Sequence, residues 1–374
     1  MLTNEERAYY SRQILIDEIG QAGQQKLSDA KVLIIGAGGL GCPVLQYISA
    51  AGVGNIGIVD GDIVDVSNLH RQILFGMDAI GKNKSIEAVR FLEKHNPFVR
   101  FMAYPFNLTA ENAVELFLEY DVVVDCSDNY ETRFLVNDAC VLLNKSLVYG
   151  SIYRFEGQVS VFNYANGPTY RCLYPDMPTQ ESTTNCSMSG VIGVLPGIIG
   201  LLQANEVLKI VTDFGEVLSG KMLVFNAQKN TFDTYELFRN SELKYDTLLQ
   251  NNSLHAENYT RTCSVDDNEQ LYIDHKTLLE SAETGEYLIL DVRDTEESPI
   301  FIADGVLQIP LKELKSKLNE IPVSRKIAVI CKSGFRSGKA IELLQQELNL
   351  KELKNLENGI SQQFITAWKS KKEN

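Results

Sequence analysis

The chain has 374 residues, enough for two domains, and its 44% hydrophobic and 22% charged content is that of a globular protein. A formal net charge of −14 argues against nucleic acid or an anionic membrane as the main partner, because neither rewards excess negative charge. The seven cysteines (42, 126, 140, 172, 186, 263 and 331) are odd in number and widely spaced, without a Cys-x-x-Cys pair, which argues against a disulfide framework and against a structural zinc site.

The N-terminal stretch Met1–Arg7 is polar and acidic, without the pattern of a secretory signal, so a cytoplasmic protein is expected. Residues 3–29 are predicted helical, interrupted by Gly20 and Gly23. Strands and helices then alternate: strand Val32–Ile35, a helix from Pro43, strand Ile56–Asp60, helix Ser85–Glu93, strand Val99–Tyr104, helix Ala110–Leu118 and strand Asp121–Asp125. Such alternation implies a mostly parallel, doubly wound α/β sheet. Gln158–Phe162, Lys221–Phe225 and Thr231–Leu237 are expected as antiparallel strands. The longest apolar stretch, Gly190–Ala204, contains Pro196 and is short for a membrane span; it is expected as a buried helix. A polar segment, 246–269, is expected to link residues 1–245 to a second α/β domain, 270–374. There the expectation is helix Lys276–Ser281, strands Tyr287–Asp291 and Gly305–Ile309, helix Leu311–Leu318, strand Lys326–Ile330 and helix Ser337–Leu348. Lys369–Asn374 reads as a solvated tail.

Gly36, Gly38 and Gly41 form G-x-G-x-x-G between a strand and a helix, with Asp60 at the end of the next strand. Glycines let backbone approach phosphate, the helix N-terminus attracts negative charge, and Asp60 suits ribose hydroxyls. Alone, this pattern points to NAD. Asp62–Gln72, Lys84 and Asp125–Asn129 shift the reading. Asn68, Arg71, Lys84 and Asp128 are expected along one carboxyl edge of the sheet, and two cations with an aspartate suit a triphosphate and Mg²⁺ better than a nicotinamide. Each has a bland reading alone: Arg71 and Lys84 as surface charges, Asp128 as a helix N-cap.

On Ser11-Arg-Gln13, Gly36–Gly41, Gly52–Asn55, Ser67–Gln72, Lys84, Asp125–Asn129, Gly157-Gln158 and Asn185-Cys186, residues 5–240 resemble the E1-like superfamily, specifically the MoeB/ThiF adenylyltransferases of molybdopterin and thiamine biosynthesis. The resemblance implies a Rossmann-like adenylation domain with a mixed sheet, typically homodimeric. It implies ATP and Mg²⁺, and adenylation of the C-terminal glycine of a ubiquitin-like sulfur carrier ending in Gly-Gly. By position it implies ATP contacts from Gly36, Gly38, Gly39, Gly41, Asp60, Asp62, Gln72 and Asn129. It implies phosphate contacts from Asn68, Arg71 and Lys84, a Mg²⁺-linked Asp128, and an Arg12 that reaches the partner subunit's nucleotide. The chemistry agrees: the attacking carboxylate is already ionised at neutral pH, so the site must bring anions together and stabilise leaving pyrophosphate. The family's two zinc-holding cysteine pairs are absent. Thr169 stands where one cysteine would, Cys172 remains, and Phe238–Lys244 has none, so no zinc is expected and packing or hydrogen bonds should hold this region.

Residues 270–370 resemble a rhodanese domain on Leu290–Arg293, Gly305-x-x-x-Ile-Pro310, Cys331–Ser337 and Asn358-Gly359, which implies a Cys331 persulfide fed by a sulfane-sulfur donor. A loop closing onto a helix N-terminus aims N–H groups at this sulfur, and Lys332 and Arg336 add positive charge; both favour thiolate. Asp291 and Arg293 are expected to organise the fold. Cys186 lies among small polar residues before a helix, and two readings stand: a covalent participant, or a bystander in a crossover loop. Cys42, Cys126 and Cys140 are expected in the core. Adenylation followed by sulfur transfer is the leading expectation. The alternatives are adenylation of another peptide or tRNA-bound carboxylate, a scaffold, and a nicotinamide oxidoreductase.

Overall fold

The computed structural model describes residues 2–178, 190–243, 245, 254–259, 272–297, 299–323, 325–332, 334–348, 350, 352–356 and 359–372. The chain divides into two compact units, Met1–Thr262 and Cys263–Asn374.

The first unit is built on an eight-stranded sheet. Its strands are β1 (Lys31–Ile35), β2 (Asn55–Val59), β3 (Arg100–Tyr104), β4 (Val122–Asp125), β5 (Ser146–Tyr153), β6 (Glu156–Phe162), β7 (Lys221–Asn226) and β8 (Thr231–Glu236), in the order β3-β2-β1-β4-β5-β6-β7-β8. The first five pair in parallel and β5 to β8 antiparallel, so the sheet is mixed. Strand β1 is buried on both faces. Val32 and Ile34 join a core under the helices Gly41–Ala50, Lys84–Leu92 and Val194–Thr212, while Leu33 and Ile35 join one under Ala110–Leu118 and Tyr130–Leu142. Burial of each such side chain is worth about 1.5–3 kcal/mol. The order reverses between β1 and β4, and a crevice opens at the carboxyl ends of strands at such a switch point.

Helix Val194–Thr212 is long and apolar enough to cross a membrane by length and composition, but in this structure it packs on β5, β6 and helix Gly41–Ala50. A Cβ at Gly200 would stand 2.5 Å from the Leu40 carbonyl oxygen, so glycine permits the close helix contact. Gln203 on the same helix is fully buried and donates to the Asp125 carbonyl at 2.8 Å, which fixes the end of β4. Leu254 and Tyr259, in the segment read as linker, are buried in this unit's second core, and the Tyr259 hydroxyl donates to Asp138 at 2.9 Å. Polar neighbours hid these two anchors in the sequence.

Hydrogen bonds tie the segment around Thr169 and Cys172 to residues 240 and 245. Cys172 Sγ accepts from the backbone N–H of Thr169 and of Asn240, each at 3.3 Å, and lies 3.3 Å from the Thr169 hydroxyl. Tyr245 donates to Thr169 Oγ1 at 2.7 Å. Beside them Arg171 grips buried Asp138 through two bonds of 2.8 Å.

The second unit carries a parallel sheet of β9 (Tyr272–Ile273), β10 (Tyr287–Asp291), β11 (Val306–Gln308), β12 (Lys326–Ile330) and β13 (Leu353–Leu356), in the order β11-β10-β12-β13-β9. Alternate residues of β10 and β12 feed two cores, one with Ile289, Ala328 and Ile330, the other with Leu290, Ile327 and Val329. Helix Gln362–Lys372 extends into the expected solvated tail, where Lys369 and Ser370 are exposed as expected, while Trp368 just before it is 1% exposed. Strands β9 and β13 are too short to show a period in sequence.

Candidate functional sites

The first site lies at the switch point. Gly36 follows β1 with φ +94°, and a Cβ there would stand 3.0 Å from the Cys126 carbonyl oxygen, so glycine is required twice over. Gly41 opens the next helix against the Gly36 carbonyl, again without room for a Cβ. Asp60 ties the two loops together: Oδ2 accepts from Ala37 N–H at 2.8 Å and Oδ1 from Asp62 N–H at 2.9 Å. Burial raises the Asp60 carboxyl above its ordinary pKa, against the opposing pull of Lys84.

Lys84 is buried, 7% exposed, and its Nζ lies 2.9 Å from exposed Asp62 Oδ2. Arg71 donates to the Ser67 carbonyl at 3.0 Å. Asn129 caps the helix Tyr130–Leu142 by accepting from Thr132 N–H at 2.8 Å. This corrects the capping alternative for Asp128. Among the described residues Asp128 has no side-chain hydrogen bond or ion pair, and it stands exposed at the cavity.

One cavity of about 530 Å³ brings together Gly36, Gly38, Gly39, Asp60, Asp62, Arg71, Gln72, Lys84, Asp128 and Asn129. Gln72 is 4% exposed, and its Oε1 has no hydrogen-bond partner among the described residues, so it retains capacity for a polar ligand. Two expected ATP contacts, Gly41 and Asn68, do not line this cavity. Asn68 ends the 3₁₀ turn Val66–Asn68, where its Oδ1 faces Asp65 N–H at 3.4 Å. Arg12 lies exposed on the helix Ser11–Ile14. Arg133, Asn107 and Arg154 also line the cavity and were missed in the sequence. Arg133 was discoverable, since it lies four residues past Asn129 on one helical face. Its Nη2 donates to the Ser127 carbonyl at 3.2 Å, and its guanidinium lies 5.7 Å from the ring centroids of Tyr130 and Tyr149.

The thiols nearby are core groups. Burial pushes Cys42 up to about 12 and Cys126 and Cys140 well above the ordinary range, which disfavours the thiolate in each. Cys186 lies outside the described residues.

The second site is the loop after β12. Gly334, with φ +85°, donates its N–H to Cys331 Sγ at 3.1 Å, and Ser337 Oγ stands 3.3 Å from that sulfur. Asp291 and Arg293 are fully buried and joined by bonds of 2.7 Å and 3.0 Å; they order the end of β10. Arg336 differs from expectation. Its guanidinium is held by Glu297 through bonds of 2.7 Å and 2.6 Å, so much of its charge is matched locally, leaving exposed Lys332 as the other loop cation. Burial alone would raise the Glu297 carboxyl, but the Arg336 hydrogen bonds and the charges of Arg336, Arg293 and Lys332 together hold it below the ordinary range.

The comparisons with known proteins agree in their division of the chain. The ThiF family matches residues 10–245, and the rhodanese-like domain matches residues 274–364. "Adenylyltransferase and sulfurtransferase MOCS3" of Xenopus laevis is 39% identical over 395 residues, covering 96% of this chain and 86% of that protein. Its counterpart in Sus scrofa is 41% identical, covering 94% and 84%. "Sulfur carrier protein adenylyltransferase" of Thermus thermophilus is 48% identical over 243 residues, covering 64% of this chain and 90% of that protein. Among solved structures, MccB of E. coli superimposes with a TM-score of 0.56 at 23% identity over 63% of this chain and 71% of its own, a likeness of fold alone. The chain belongs to the ThiF family and carries a rhodanese-like domain behind its ThiF domain.

Proposed function

We propose that this protein is an adenylyltransferase and sulfurtransferase that uses ATP to adenylate the C-terminal glycine of a ubiquitin-like sulfur carrier, then delivers sulfur from a Cys331 persulfide to make a thiocarboxylate. The observation that carries this reading is the union, in one chain, of the charged switch-point cavity and the Cys331 loop. The names of the full-length relatives support it.

The cavity residues suit the first half-reaction. The carrier's carboxylate oxygen bonds to the α-phosphorus of ATP as the bond to the β-phosphate oxygen breaks, and pyrophosphate leaves. Arg71 and Lys84 counter the charge that develops on the departing phosphates. Gly36 to Gly39 bring backbone close to phosphate, and Asp60 serves the ribose hydroxyls. Asp128, exposed and without a side-chain hydrogen bond or ion pair among the described residues, would hold Mg²⁺, which supplies further neutralisation of the phosphates. In the second half-reaction the terminal persulfide sulfur bonds to the activated carbonyl and AMP departs with its bonding electrons. An external thiol then attacks the Cys331 sulfur of the resulting acyl disulfide, releasing the thiocarboxylate and leaving a mixed disulfide that a second equivalent of thiol reduces.

We place Arg12, exposed and outside its own chain's cavity, at the cavity of a second copy in a homodimer. We place the enzyme in the cytoplasm, where thiols stay reduced. The hydrogen-bonded Cys172 cluster supports a fold independent of zinc. ATP–pyrophosphate exchange tests the adenylation. Exchange should require a carrier ending in Gly-Gly and stop when that terminus is removed. Exchange with an unrelated carboxylate in place of the carrier would refute the assignment.

A further inference from the structure

Ser337 and Asn355 lie beside the sulfur of the second site, 18 residues apart in sequence. Both are buried, at 0% and 4% exposure. The Ser337 hydroxyl has a single hydrogen and, among the described residues, three acceptors in reach: Asn355 Oδ1 at 2.7 Å, the Gly334 carbonyl at 3.0 Å and Cys331 Sγ at 3.3 Å. Asn355 is itself oriented. Its Nδ2 donates to the Gly334 carbonyl at 2.8 Å, so its oxygen is the atom turned to Ser337.

A neutral thiol is a weak acceptor, and the hydroxyl proton then belongs on Asn355 Oδ1. A charged sulfur is a far stronger acceptor, because hydrogen bonds to ionised partners are about twice as strong as neutral ones. The hydroxyl needs only to rotate to meet it. We propose that Ser337 is a switchable hydrogen-bond donor to the charged sulfur of Cys331, and that Asn355 is the positioning residue that holds its hydroxyl within reach of that sulfur. The purpose of the switch rests on the sulfur-transfer reading above: the hydroxyl turns to the sulfur when the sulfur carries charge and returns to Asn355 when it does not.

The nearby charges are Lys332, exposed, and Arg336, paired with Glu297 on the loop after β10; the Asp291–Arg293 pair is internally matched. These remain the same in every variant below, so differences between variants report the local switch.

The test is site-resolved alkylation of Cys331 by iodoacetamide in the full chain, followed by peptide mass spectrometry as a function of pH. Ser337→Ala should slow alkylation at neutral pH about tenfold and move the pH–rate profile upward by about one unit. Ser337→Thr should restore the rate to within about threefold. Asn355→Leu should change the alkylation rate only while Ser337 keeps its hydroxyl, and leave the Ser337→Ala background unaltered, because it acts through that hydroxyl. A Ser337→Ala profile that overlays the parent would overturn the proposal, as would full additivity of the two substitutions. If Asn355→Leu fails to fold, the Ser337 pair decides alone. The readout needs neither ATP nor carrier, so its failure is separate from failure of the proposed reaction.

Discussion

Both sites begin where a parallel strand ends and a glycine in the loop that follows turns left-handed, Gly36 at φ +94° after β1 and Gly334 at φ +85° after β12. From there they diverge. The Gly36 turn opens onto a cavity of about 530 Å³ whose charged groups are spread around its walls. The Gly334 turn folds over one sulfur, which a backbone N–H and a hydroxyl already approach. The first arrangement leaves acceptor capacity for a ligand's donors, in Gln72 Oε1 and Asp128 among others. The second spends its capacity on a single protein atom. The same strand–glycine–helix device thus gives a binding basin where the loop opens onto a cavity, and a reactive-atom cradle where the loop closes on its own cysteine.

The sharpest way to break this comparison is to disable each site alone. Asp128→Ala should lower ATP–pyrophosphate exchange about 10³-fold while leaving persulfide formation at Cys331 intact. Cys331→Ala should abolish the persulfide and leave exchange unchanged. A substitution that damaged both activities equally would contradict two separable sites.

The next effect concerns support of the sulfur loop. Arg293→Met strands the buried Asp291 carboxylate and should cost the second unit about 3–5 kcal/mol in urea unfolding, with exchange activity retained. A smaller effect is expected in the first unit. Cys172→Ala removes the acceptor of two backbone N–H bonds and should cost about 1–2 kcal/mol, read as a lowered urea midpoint. Added chelator should not change that midpoint.

The smallest effect is on acid stability. The Glu297 carboxyl is depressed in the fold, so its contribution is complete above its ordinary value of 4.5 and is lost as pH falls through the lower folded value. Glu297→Gln should therefore flatten the acid limb of the second unit's stability profile below about pH 4.5 and leave Asp128-dependent exchange untouched.

Much of both sites was legible in sequence because their chemistry is local. The Gly36–Gly41 spacing, Asp60 at a strand end and the Cys331–Ser337 loop are each contiguous with an element whose period is plain. What escaped depends on distant partners. Nothing near Glu297 signals that it captures Arg336 across 39 residues. Asn355 sits on a four-residue strand too short to show alternation, and its partners are loop atoms. Asp128 and Asn129 are both good caps by residue type, and only the backbone geometry selects Asn129. Leu254 and Tyr259 look like loop residues until Asp138 and the second core are brought beside them.

The most direct test of the central claim is intact mass spectrometry of a Gly-Gly-ending sulfur carrier incubated with this protein, ATP, Mg²⁺ and a persulfide donor. The account predicts a carrier whose mass has changed by one oxygen replaced with sulfur, dependent on both Asp128 and Cys331. A sulfur-bearing carrier formed equally well by the Cys331→Ala protein would contradict the account.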